Sequence, residues 1–143
     1  MKTLVAKQKS SAQRTWYLID AKSQTLWRLA TKIAELLKGK NQVDFTPHID
    51  NGAYVIVINC DKFRVSGSKV ADKLYRHHSR WLGGTKTATL KELLQKSPTK
   101  PLEEAVVGML PKTKHKSDML ARMKLVLTET HNFEAQQPKI IQL

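Results

Sequence analysis

Tyr54-Val55-Ile56-Val57-Ile58 decides the fold. Five consecutive apolar residues, four of them β-branched, read as a strand. Their lack of polar alternation predicts burial on both faces, as in a central strand of an α/β sheet. Working outward, Trp16-Tyr17-Leu18-Ile19 is a second short run of the same kind. Between the two, Leu26, Leu29, Ala30, Ile33 and Leu37 fall at the spacing of one helical face. Ser23-Gln24-Thr25 opens that helix and Gly39 stops it, with Lys38 and Lys40 at its negative end. Phe45 to Ala53, holding Pro47, Asp50, Asn51 and Gly52, reads as loop.

Downstream the pattern continues. Lys62-Phe63-Arg64-Val65 alternates and stops at Ser66-Gly67-Ser68. Asp72 to His78 reads as irregular chain or an edge strand, and Gly83-Gly84 marks a turn. Thr89-x-x-Glu92 has the form of a capping box before Leu93 and Leu94, with Pro98 ending that helix. Pro101 opens another helix, with Glu103 and Glu104 in its first turn and Pro111 closing it. Ser117 is the expected cap of a short helix carrying Met119, Leu120 and Met123, and Leu125-Val126-Leu127 the expected last strand. The tail from Gln136 reads as extended and pinned by Ile140 and Ile141. Strands alternating with helices predict an α/β domain with a small, mostly parallel sheet. The expected division is a flexible basic N-terminal arm over residues 1–14 and a single α/β domain with an extended C-terminal tail over residues 15–143.

Composition narrows the function. The 143 residues carry 25 Lys and Arg against 12 acids, a net charge of +13, with 41% hydrophobic content. One cysteine builds neither a disulfide framework nor a cysteine-rich zinc site. No apolar run approaches the roughly 20 residues that span a bilayer, and Met1-Lys2-Thr3 opens no secretory leader. The surplus is grouped. Lys62, Arg64, Lys69, Lys73, Arg76, Arg80 and Lys86 face only Asp61 and Asp72 between positions 61 and 86, with Tyr75, His77, His78 and Trp81 among them. A second group, Lys112, Lys114, Lys116, Arg122 and Lys124, faces Asp118 alone. Lysine and arginine neutralise phosphates while neighbouring rings stack on unpaired bases, so the expected partner is RNA.

Catalytic and metal readings fare worse. Adjacent histidines such as His77 and His78 diverge on strand or helix, and no metal-ligand spacing accompanies them, so no metal and no cofactor is expected. Cys60 follows the central strand, where α/β enzymes place catalytic groups, but no paired base accompanies it. Asp20 and Asp61 read as loop caps. Gly83-Gly84-Thr85-Lys86-Thr87 lacks the glycine spacing of a phosphate loop and reads as a turn presenting Lys86 to an RNA phosphate.

Several strings, in order and along nearly the whole chain, resemble one family: the large ribosomal subunit protein L-thirteen family of bacterial and plastid type. They include Trp16 to Ala21, Phe45-Thr46-Pro47-His48-Ile49-Asp50-Asn51-Gly52, Asp72 to His78, Gly83-Gly84, Gly108-Met109-Leu110-Pro111-Lys112 and Ala135-Gln136-Gln137-Pro138. The resemblance implies a three-layer α/β/α fold around a four-stranded sheet. It implies a structural, non-enzymatic role on 23S-type rRNA, in contact with neighbouring large-subunit proteins and not with a membrane. The implied place is the ribosome of an organelle, foremost the plastid stroma, or of the bacterial cytoplasm. The expected rRNA contacts are Arg28, Lys40, His48, Lys69, Lys73, Tyr75, Arg76, His77, His78, Arg80, Lys86, Lys112, Lys114 and Lys116. The chain departs from the family at Trp27, where glycine is usual, at Ala53, at Arg80-Trp81-Leu82, and at His115-Lys116-Ser117. The competing readings are an RNA-processing or RNA-modifying enzyme using Cys60, Asp61 or His77, and a regulatory RNA-binding protein acting off the ribosome.

Overall fold

A computed structural model describes residues 6–142. Strand β1 (Trp16–Asp20) leads through helix α1 (Leu26–Lys38) into β2 (Tyr54–Ile58). A short helix α2 (Lys69–Asp72) precedes a hairpin of β3 (Leu74–His78) and β4 (Thr85–Thr89). Helices α3 (Leu90–Lys96), α4 (Lys100–Met109) and α5 (Lys116–Ala121) follow, then β5 (Met123–Leu125) and β6 (Lys139–Ile141). The main sheet has the order β5-β2-β1-β6, and all its pairs are parallel. Tyr54–Ile58 is thus an inner strand, with Val55, Ile56 and Val57 fully buried, as its apolar run predicts.

Strand alternation divides the sheet. Ile19, Val55 and Val57 point into a core shared with Leu29, Ile33 and Leu37 of α1 and with Leu102 and Val106 of α4. Each such side chain fully withdrawn from water contributes about 1.5–3 kcal/mol. The other face carries Trp16, Leu18, Tyr54 and Ile56, and there the Trp16 ring stacks 4.2 Å from Tyr54 and 5.9 Å from Phe133. Phe133 immediately precedes a 3-10 turn, Glu134–Gln136, that leads into β6. The result is mixed α/β with three layers, as expected from the resemblance: α1 and α4 on one side, the sheet, and the turn-bearing segment on the other.

Caps follow the local chemistry. Gly39 adopts φ +78°, and its N–H and that of Lys40 bond back to Leu36 and Glu35, closing α1 with the left-handed residue that glycine supplies without steric cost. Thr89 and Glu92 form the expected reciprocal capping box on α3.

Several details differ from expectation. Among the described residues, the 62–65 segment makes only an isolated bridge, Arg64 with Thr25, while Phe63 and Val65 turn to the core. Strand β4 occupies Thr85–Thr89, where only a turn was foreseen. The strand expected at 125–127 is edge strand β5 at Met123–Leu125, since it is Met123 that comes opposite Val55, and β6 rather than β5 is the last strand. Ser117 lies inside α5, whose N-cap is His115, and its hydroxyl donates to the Lys114 carbonyl. Of the tail isoleucines, Ile141 packs on the core while Ile140 is 75% exposed. Residues 1–5 of the expected arm lie outside the described residues. From Lys7 onward the arm is tied to the domain: Lys9 N–H donates to Asn51 Oδ1, Asn51 Nδ2 donates to the Lys7 carbonyl, and Arg14 donates to the carbonyls of Asp50 and Gly52.

Candidate nucleic-acid interface

The expected contact residues gather at the two ends of α1. Thirteen residues at 1.5 Å each separate those ends by about 20 Å.

At the N-terminal end stand Trp27 and Arg28. Lys69 Nζ sits 4.7 Å and Lys73 Nζ 5.6 Å from the Trp27 ring centroid, so α2 is seated on α1 through two cation–π contacts. Trp27 therefore finds its room by packing against the core edge beneath these lysines. Arg28 lines a cleft of about 540 Å³ with Thr25, Lys32 and Arg64. The hairpin rises from the same region, closed at its root by Leu90 N–H donating to the Lys73 carbonyl. Antiparallel register sets Arg76 against Thr87 and His78 against Thr85 on one face, and His77 against Lys86 on the other. The two histidines thus point apart, as adjacent strand residues must. Arg76, His77, His78, Arg80 and Lys86 are all exposed.

Two aromatic or imidazole groups are partly committed within the chain. Tyr75 is half-buried with Lys73 Nζ 5.3 Å from its ring, and burial, aided by Glu104, raises its phenol above the ordinary value. His78 Nδ1 accepts the Arg80 N–H at 2.9 Å, binding that ring to its own turn.

At the C-terminal end of α1, Lys38, Lys40, Phe45, Pro47, Ile49, Pro111 and Met119 surround a largely apolar cleft of about 370 Å³. The Thr46-Pro47-His48 loop and the Pro111-Lys112 loop, far apart in sequence, meet there. His48, Lys40, Lys112 and Lys114 are exposed beside it, and Lys116 is half-buried. Lys38 donates to the Met109 carbonyl, and burial, reinforced by Lys40, lowers its ammonium below the ordinary value.

One feature escaped the sequence reading. Arg122, counted there with the second basic group, is 5% exposed and bonded to Asp50 and to the Leu37 carbonyl, so it is a core cation. Trp81, named in the sequence with the rings of the first basic group but not among the expected contact residues, is 79% exposed at the hairpin tip.

The residues offered for catalysis do not converge. Cys60 is fully buried, its thiol donates to the Val57 carbonyl, and burial pushes it up to about 12, so no thiolate forms near neutral pH. His77 lies on the projecting hairpin, in a different sheet from the strand that Cys60 follows. Asp20 accepts from Asn59 Nδ2 and the Lys22 N–H, a loop-capping role. Among the described residues no three His, Cys, Asp or Glu side chains form a metal-holding group, and no helix is long and apolar enough to cross a membrane.

Comparison with known proteins points the same way. The family model described as ribosomal protein L13 matches residues 14–132. The large ribosomal subunit protein uL13 of Teredinibacter turnerae is 43% identical over 141 residues, covering 99% of each chain.

Proposed function

Because this chain belongs to the ribosomal protein L13 family, we propose that it is a structural constituent of the large ribosomal subunit that holds rRNA together by charge neutralisation. The observation that carries this reading is the placement of exposed cations at both ends of α1, on a scaffold that keeps them about 20 Å apart. Two such patches on one rigid body bind separate RNA segments and fix their spacing, which is what a subunit needs as it assembles.

The RNA is of the 23S type, and neighbouring large-subunit proteins complete the surroundings. The compartment is a bacterial cytoplasm or an organelle with a bacterial-type ribosome, such as a plastid. The contact set is Arg28, Lys69, Lys73, Tyr75, Arg76, His77, His78, Arg80 and Lys86 at one end, with Lys40, His48, Lys112, Lys114 and Lys116 at the other. Backbone contacts of this kind make affinity fall steeply with salt: about six phosphates neutralised correspond to a loss of roughly a thousandfold between about 50 and 200 mM. An enzyme built on Cys60 has no support, because the buried, protonated thiol reaches no substrate.

Sedimentation of tagged chain in cell extract on a sucrose gradient tests the reading. The chain travels with large subunits and dissociates from them only at high salt. A chain that stays at the top of the gradient while large subunits sediment overturns it, and points instead to a regulator acting off the ribosome.

A further inference from the structure

The β3–β4 hairpin contributes little to the core. From Arg76 to Thr87 its residues are exposed apart from Gly84, and only its root, at Tyr75, Ala88 and Thr89, is half-buried. A lone two-stranded hairpin is marginal in water, so one whose outer residues bury so little is best accounted for by what it meets.

Its tip is well defined. Ser79 N–H donates to the Gly84 carbonyl at 3.0 Å, and Gly84 N–H donates to the Trp81 carbonyl at 2.9 Å. Arg80 takes a left-handed φ of +67°, with its own N–H tied to His78 Nδ1. A Cβ on Gly84 would lie 2.0 Å from Ser79 Oγ and 2.9 Å from the Trp81 carbonyl oxygen, so the turn closes this tightly only around glycine. Its closure leaves Trp81 79% and Leu82 106% exposed. Scattered exposed apolar residues are ordinary. An adjacent pair held at the apex of a ribbon is a contact surface.

Charge chooses the occupant. No Asp or Glu stands between Asp72 and Glu92, while Lys73, Arg76, Arg80, Lys86 and Lys91 do. Register puts Arg76 on one face of the ribbon and Lys86 on the other. A ribbon cationic on both faces suits a slot between two phosphodiester segments, where an unpaired base supplies the flat apolar partner that an indole needs.

Resting on the ribosomal reading above, we infer that Trp81 stacks on a single unpaired rRNA base, with Arg76 and Lys86 neutralising the backbones on either side of the hairpin. Phosphates set the affinity's salt dependence, and Trp81 sets the position.

The test compares wild type, Trp81→Ala and Trp81→Phe for binding to a transcript of bacterial large-subunit rRNA at several salt concentrations, with chemical probing of base reactivity in each complex. One base stacked on an aromatic ring supplies roughly five-fold to a hundred-fold in affinity. Trp81→Ala therefore binds about ten-fold more weakly with an unchanged salt slope, and one or two unpaired bases regain reactivity. Trp81→Phe recovers most of both. The residue is exposed, so folding is unaffected. If Trp81→Ala binds within about twofold of wild type and alters no base reactivity, the stacking is overturned while the ribosomal assignment stands. Unaltered RNA binding combined with loss from assembled subunits overturns it in favour of a protein neighbour at the tip. A wild-type chain that binds no transcript and never enters large subunits sinks the ribosomal assignment itself.

Discussion

The guanidinium of Arg122 meets the carboxylate of Asp50 through two bonds of 2.6 Å, Nη1 to Oδ2 and Nη2 to Oδ1, with both residues 5% exposed. The pair joins the segment before β5 to the loop before β2, and Arg122 Nη2 also reaches the Leu37 carbonyl near the end of α1. Arg14 adds a second cation 3.7 Å from Asp50, bringing the N-terminal segment to the same point. Three stretches remote in sequence thus converge on one carboxylate. Removing one member of a buried pair costs about 3–5 kcal/mol, chiefly through the charge left behind. Arg122→Met lowers unfolding stability in urea by about 3 kcal/mol, Arg14 compensating part of the loss. Adding Asp50→Leu to that variant restores much of it. A single-variant loss under about 1 kcal/mol would show that the pair does not hold these segments.

Trp27 is a bulky ring near the start of α1, and the structure accommodates it. Its ring packs at the core edge and carries Lys69 and Lys73 above it. Cation–π contacts at such half-exposed sites contribute about 0.5–1 kcal/mol. A double-mutant cycle between Trp27→Ala and Lys69→Ala, read by urea denaturation, gives a coupling of about that size. Purely additive effects would mean that the ammonium is merely nearby.

Cys60 makes a prediction in pH. Its thiol is raised from 9.0 to about 12 in the folded chain, first by burial and then by Asp61, against a lowering bond from the Val126 N–H. Above pH 9 the unfolded chain releases this proton and the folded chain keeps it, so folding stability falls as pH rises towards 12. The slope for one proton is at most about 1.4 kcal/mol per pH unit. Wild type therefore loses stability relative to Cys60→Ala across that window, while below pH 8 their difference stays constant. A difference that does not change between pH 9 and 11 refutes the buried-thiol account. Alkylation gives a second reading: iodoacetamide labels Cys60 only after denaturation.

What the sequence disclosed follows from where information is local. Tyr54–Ile58 and the 26–37 periodicity are each written within one element, and both places were read correctly. The caps at Gly39 and Thr89 are likewise short-range. Strand β4 was missed because Thr85-Lys86-Thr87-Ala88-Thr89 buries no apolar row; its only signal was a β-branched residue at every second position. The β5 boundary slipped by two residues since the more apolar Leu125-Val126-Leu127 outshone Met123, whose pairing depends on a strand far upstream. Arg122 could not be separated from its basic neighbours, because its partner Asp50 lies 72 positions away and ion pairing leaves no periodic trace. Net charge located the basic surface but could not tell which cations point outward.

That distinction between inward and outward cations can be measured. Arg76 and Arg80 are exposed on the hairpin and Lys73 is half-buried at its root, and each neutralised phosphate contributes about 0.7–0.9 to the slope of log affinity against log salt. Replacing all three by Ala weakens binding to a large-subunit rRNA transcript and flattens that slope by about two to three. Lys112, Lys114 and Lys116, at the far end of α1, give a comparable flattening when replaced together. The two sets add, because patches about 20 Å apart on one rigid body do not share phosphates. Arg122→Met changes stability and leaves the slope alone, since its charge already faces Asp50. If the hairpin triple variant keeps the wild-type slope, the hairpin is not on RNA, and the interface reduces to the loops around Lys112.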